Sequence, residues 1–424
     1  MTINLQFYLF FIIFLALGRW KGTLTREDIP VRYIVLSEHL DMVGVKLKAS
    51  YQNTRKTNCD ELLERVKNVI GPWKGGKFMP LSQRSHSINV YCLSKVWIRC
   101  SSIDLRISDS TKITSCVKSW LFQDQLEKPE DFVLYRPRLA GGLGLVNVEI
   151  KALALNIRSF LETAVCDIFQ RNIYHEALFQ WHVLDVRTIP NPGLPPYYNN
   201  AFFNHIKQVL EEGLLNLKTM TTKIWYQVLL ENLVTHSLND SEHRVLKVCR
   251  TESYNPGQDW ERIWQAAITP GLPSSFRTFL WLMLHNILPT RARLFRMNLP
   301  NAPSPNCAFC DSSTPDTLLH ALFLCSHSKP TADFLLTAIR TDIPEITPER
   351  ILLLDFRTDQ MLPLVYLSAS IMSQIWNCRK ENKQCNITSI RATLEASIQI
   401  LRKSRFRSSA TKLDAILAIV NTSM

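Results

Sequence analysis

The run Cys307-Ala308-Phe309-Cys310, followed by His320 and then Cys325, limits what this chain can fold into more than any other stretch. Three thiols and one imidazole at C-x2-C-x9-H-x4-C spacing form the donor set of a closed tetrahedral zinc site. Two cysteines separated by two residues share a tight knuckle, so both sulfurs reach one ion. Thr314-Pro315-Asp316 reads as a helix start, with Thr314 as N-cap and Pro315 at the first helical position. That helix carries His320 and delivers Cys325 near its end. The loop at 298–305 is rich in Pro and Asn, which suits a segment held by a metal more than by a core. His327 is a rival for the fourth position, because it follows His320 by seven residues and returns to the same helical face.

At 424 residues, 46% of them apolar, the chain has material for two or three domains with real cores, and global disorder is excluded. Eleven cysteines is an odd total, and those outside the cluster fall at irregular positions, several within apolar runs such as those around Cys92 and Cys249. That is the pattern of buried free thiols in a reducing compartment and not of a disulfide framework. An intracellular protein, nuclear or cytoplasmic, is therefore expected. Against it stands residues 7–18, an uncharged apolar run. It has the length of a signal-peptide core, is short for a membrane span, and lacks the basic segment that should precede it. Secretion or anchoring through residues 1–18 stays open as the other reading.

The formal net charge is +12, and two stretches carry about all of it. Between Gly71 and Lys118 the balance is +6, from Lys74, Lys77, Arg84, Lys95, Arg99 and others. Between Trp376 and Lys412 it is +7, with Arg402, Lys403, Arg405 and Arg407 in one cluster. Such surfaces suit a phosphate backbone, whose bound counterions they displace. Trp73, Phe78, Trp97 and Trp120 interleave the first stretch; the tryptophans recur at helical spacing among apolar residues and read as core.

Helical periodicity dominates. Two short β segments are expected within 32–47, then helices over 60–70, 81–98 (with Ser82 as N-cap), 110–122 and 148–164. Three glycines at 141, 142 and 144 break the pattern between the last two. Their spacing fits neither a P-loop nor a dinucleotide fingerprint, so a tight turn before a helix is the better account. More helices are expected through 166–250, interrupted at 189–200, then over 259–267, 276–287 (ended by Pro289), 291–297 (capped by Thr290) and 331–424.

In order along the chain, four motifs resemble the C-terminal part of the reverse-transcriptase polyprotein of LINE-type, non-LTR retrotransposons. Residues 40–45, Leu-Asp-Met-Val-Gly-Val, look like the hairpin that follows the polymerase palm. Leu81-Ser82-Gln83-Arg84 through Leu93–Trp97 is similar to the thumb helix, with Gln83 where the family has glycine. Pro137, Gly141–Leu145 and Lys151–Ala154 look like the segment after it. Trp260, Trp264, Phe279–Trp281, Leu288–Thr290 and the Cys/His cluster resemble the reverse-transcriptase zinc-binding domain.

The resemblance implies a mostly α protein. Residues 19–165 form a β hairpin and a thumb-like helical module, 166–255 a helical connector, 256–330 a small CCHC zinc-binding module, and 331–424 a basic helical region. It implies a structural Zn2+ on Cys307, Cys310, His320 and Cys325, with RNA or DNA as partner and no small-molecule substrate or membrane. The chain has no Asp-Asp pair and no palm-length segment before the hairpin, so a binding half without polymerase chemistry is expected, not an enzyme. The contrasting expectation is an inert or co-opted helical zinc protein that acts only through protein partners.

Overall fold

The computed structural model describes residues 40–42, 45–48, 50–73, 79–101, 103–123, 129–166, 173–186, 193, 200–211, 220–235, 260–300, 302–310, 313–356, 361–403 and 406–422. The leader at 1–18, the first expected strand from 32, Lys74, Lys77, Phe78, Arg405 and most of the turn at 189–200 lie outside them. The described chain is mostly helical, with one antiparallel hairpin, Leu40–Met42 against Val45–Leu47, in the register Leu40↔Leu47. Its residues group into two compact units, each assembled from separate stretches: Met1–Lys74, Ser87–Leu121 and Val146–Leu233, and Gly75–His86, Phe122–Leu145 and Val234–Met424.

In the first unit, the helix expected from residue 60 begins at Tyr51 and runs to Ile70. Between Tyr51 and Cys59 its residues are all polar, and apolar periodicity missed this first part. Ser50 caps it, its side chain accepting from the Asn53 backbone N–H. Buried Asn58 accepts from Lys46 N–H at 3.0 Å and donates to Lys46 C=O at 2.8 Å and Thr54 C=O at 2.7 Å. Thr54 Oγ1 accepts from Lys48 N–H at 2.7 Å. The polar face thus completes the hydrogen bonding of the hairpin's second strand, which would otherwise present an open edge. Helix Val148–Leu161 starts as expected, with Asn147 accepting from Ile150 N–H. Phe160 on that helix meets Phe202 and Phe203 edge-on, each at 5.6 Å. With Trp225 they form an apolar core over helices Ile173–His182, Asn200–Glu211 and Thr222–Thr235.

In the second unit a helix opens at Leu81, one residue before the expected cap Ser82; Pro80 C=O receives Gln83 and Arg84 N–H. The glycine segment is a compact turn. Gly142 N–H donates to Pro137 C=O, Gly144 N–H to Arg136 C=O and Leu145 N–H to Leu134 C=O, each at 2.9 Å. Gly141 has φ +80°, and a Cβ there would lie 2.3 Å from the Trp264 ring. Its carbonyl receives Trp281 Nε1 and His285 Nε2, both at 2.8 Å. His285 stacks on Trp264 at 4.7 Å and leans on Trp281 at 4.4 Å. The glycine, paired-tryptophan and Phe-Leu-Trp motifs are therefore one packed cluster.

Helix Ser274–Leu284 ends before Pro289 acts. Asn286 takes a left-handed conformation (φ +51°), with Asn286 N–H on Met283 C=O and Ile287 N–H on Leu282 C=O, a Schellman ending. Beyond residue 331 the expected helices are present: Lys329–Arg340, Pro348–Leu352, Met361–Lys380, Ile387–Arg402 and Arg407–Thr422. Met361–Lys380 is buried along nearly its whole length, with Tyr366 edge-on to Phe276 at 5.6 Å. Among the described residues, no helix is long and apolar enough to cross a membrane.

Candidate metal centre

The segment 305–316 folds back on itself before any helix begins. Asn306 and Pro315 bridge, Cys307 N–H donates to Thr314 C=O at 3.1 Å, and Asp316 N–H donates to Pro305 C=O at 2.9 Å. Thr314 and Pro315 are therefore ladder residues and not the expected helix start. The start is Thr317, whose Oγ1 accepts from His320 N–H at 3.2 Å and whose C=O receives Ala321 N–H at 2.8 Å. The backbone then widens into a π turn over His320–Leu324, in which Cys325 N–H bonds to His320 C=O at 2.8 Å. Such widened turns shift side chains off the ordinary helical ladder and recur at functional sites. Here the turn brings both His320 and Cys325 to the knuckle.

The donor atoms of Cys307, Cys310, His320 and Cys325 all lie within 4.8 Å of one another. Cys307 Sγ stands 3.7 Å from Cys325 Sγ, and Cys310 Sγ stands 3.3 Å from His320 Nε2. Around one tetrahedral zinc, bonded sulfurs sit about 3.8 Å apart, and a sulfur and a ring nitrogen about 3.5 Å. The two separations fit that polyhedron. His327 is not in the set; its ring packs on Phe309 at 5.4 Å between centroids.

Burial pushes the Cys307 thiol up, opposed by the Phe309 N–H, 3.4 Å from the sulfur, and by the Arg379 guanidinium. Burial also lowers His320, which keeps its imidazole neutral and able to donate a lone pair. A divalent ion is what would allow three neighbouring sulfurs to ionise together in so enclosed a place.

Two side chains that the sequence reading did not single out surround the cluster. Buried Asp316 accepts from Arg291 N–H through Oδ2 at 3.0 Å. It therefore caps the short helix Arg291–Arg296 in place of Thr290, whose side chain makes no capping bond. Through Oδ1 it accepts from Arg379 Nη2 at 2.5 Å. Arg379, counted by sequence within a basic surface stretch, is 6% exposed. Arg379 had no sequence signal, since it is 72 positions from Cys307; Asp316 stood in the stretch read as a helix start, where its spacing gave no sign of this role.

The expected phosphate-binding positions are scattered in character. Arg99 is withdrawn from any surface: it is 3% exposed and pairs with Glu61 at 3.0 Å. Arg84 is half-buried, and Arg402 is ion-paired with Asp414. Lys95, Lys403 and Arg407 are exposed. Trp120 is buried, with Trp73 against it at 5.4 Å, as the core reading of the tryptophans had it.

Residues 242–331 match the family described as zinc-binding in reverse transcriptase. All four converging donors fall inside the match. Comparison with curated proteins returns no match.

Proposed function

We infer that this chain is a nucleic-acid-binding, non-catalytic part of a LINE-type reverse-transcriptase protein, with one structural zinc ion on Cys307, Cys310, His320 and Cys325. The observation that carries the reading is the closed four-donor set inside a segment that matches a reverse-transcriptase zinc-binding family. Three thiolates and an imidazole fill a tetrahedral zinc shell, leaving no position for a reacting water, so the ion would hold structure.

Charge in the stretch leading to the cluster supports the nucleic-acid half. Residues 262–310 contain five arginines and no Asp or Glu. Beside exposed Arg296, Phe295 and Met297 are 41% and 37% exposed, an aromatic and apolar rim of the kind on which unpaired bases stack. Lys95, Lys403 and Arg407 are further cations for backbone phosphates.

The test is metal content by elemental analysis, then fluorescence anisotropy with a labelled single-stranded RNA and its DNA equivalent at stepped salt. One zinc per chain is expected, with log affinity falling linearly with log salt. Each phosphate contact adds about 0.7 to that slope on a single strand. Absence of zinc would remove the metal half. Absence of binding at low salt would leave a zinc protein that works through protein partners.

A further inference from the structure

We propose that Arg379 is the outer charge partner of the metal centre, so that the metal-binding unit extends past the matched segment to the helix Met361–Lys380. This rests on the reading that the four donors hold zinc. The family match ends at residue 331, yet the Arg379 guanidinium touches three parts of the centre. Its Nη2 is 2.5 Å from Asp316 Oδ1 and 3.7 Å from Cys307 Sγ, and its central carbon lies 4.3 Å above the Phe309 ring, inside the knuckle.

The chemistry requires such a partner. A divalent ion with three thiolates leaves one net negative charge, and Asp316 adds a second in the same enclosed space. Buried charge is tolerated when it is paired and hydrogen-bonded. A guanidinium suits the task because its planar fork aims fixed N–H donors at a carboxylate and a sulfur at once, while its face lies on an aromatic ring. A lysine ammonium retains the charge without that geometry. Donation to a thiolate also draws electron density from sulfur, which moderates both its basicity and its reactivity. Groups one shell out from a metal fix its ligands in this way, and their loss typically costs 10–100-fold in metal affinity.

The helix that supplies Arg379 is the buried axis of the C-terminal region. Docking of that helix and loading of the metal then favour each other. A polypeptide cut at residue 331 would keep every ligand and lose the charge partner.

The test uses the full chain with zinc, and with Co2+ as a spectroscopic substitute. Zinc affinity is measured by competition with a chromophoric chelator in the wild type, Arg379→Met, Arg379→Lys and Asp316→Asn. Arg379→Met is expected to weaken zinc about 10–100-fold and Arg379→Lys to recover part of the loss. The thiolate-to-Co2+ charge-transfer band should move to lower energy in both Arg379 variants, a change that loss of packing alone does not produce. If Arg379→Met does not fold, the lysine and Asp316→Asn variants still decide. Wild type loading zinc, with folded Arg379→Lys matching it in affinity and in band position, overturns the proposal. Failure of the wild type to load zinc overturns the metal reading beneath it.

Discussion

Acid should weaken the second unit through His285. Burial between Trp264 and Trp281, helped by the Arg136 charge and opposed by the hydrogen bond to the Gly141 carbonyl, pushes its pKa down from 6.5 to about 4. Since Gly141 C=O is an acceptor, neutral His285 must carry its proton on Nε2 to bond there. The unfolded chain protonates the same imidazole near 6.5, so between those values it binds more protons than the folded state. The residue's contribution is therefore whole above pH 6.5 and declines as pH falls toward 4. The full shift corresponds to roughly 3 kcal/mol. The comparison is His285→Gln, whose side-chain amide can donate to the same carbonyl but does not titrate. Urea unfolding with zinc present, followed by tryptophan fluorescence at pH 7.5 and pH 5, gives the stability difference for each protein. Other titrating groups, including the cluster ligands, are common to both and cancel. Wild type should lose about 1–2 kcal/mol more than the variant over this interval. Equal losses would refute the claim that His285 is held neutral by its enclosure.

Gly142→Ala should cost about 3 kcal/mol or more, because the new Cβ would meet Arg136 C=O at 1.9 Å. Gly144→Ala, at φ +63° with its nearest neighbour 4.0 Å away, should cost only about 1–2 kcal/mol of backbone strain. Thermal unfolding of the two variants reads the contrast. Asn58→Ala should lose about 2 kcal/mol by leaving Lys46 N–H and C=O without their partner, with raised amide exchange at Lys46. Thr317→Ala should cost about 1 kcal/mol and weaken zinc measurably in chelator competition, because the lost cap holds His320 N–H.

Apolar spacing carried the sequence reading where apolar faces decide, and failed where polar groups do. The helices at 148–164, 276–287 and beyond 331 were legible because leucines, isoleucines and aromatics repeat every three to four residues. Residues 51–59 were not: they are helical because Asn58 and Thr54 bond to a strand, a tertiary arrangement without a periodic signature. The four candidate donors could be picked out because ligand spacing is local, and His320 was separated from His327 only by the fold. The helix start before His320 was misplaced by three residues. Thr314-Pro315 and Thr317 both look like caps in one dimension, and the bridge from Pro315 to Asn306 decides between them.

Formal charge is the least reliable of the sequence quantities, and this bears on how a nucleic acid would be held. A count of +7 over 376–412 treats every cation as available. In the folded chain Arg379 is committed to Asp316, Arg402 pairs with Asp414, and Lys412 pairs with Asp342 at 2.6 Å. Arg99 in the first basic stretch is committed to Glu61. An internally paired cation releases few counterions when a phosphate approaches, so it contributes little to a salt-dependent affinity. Neutralising Arg402 should therefore change the salt slope less than neutralising Lys403 beside it, although the two count equally in sequence. Lys95, Lys403, Arg407 and Arg296 are exposed and come from both compact units.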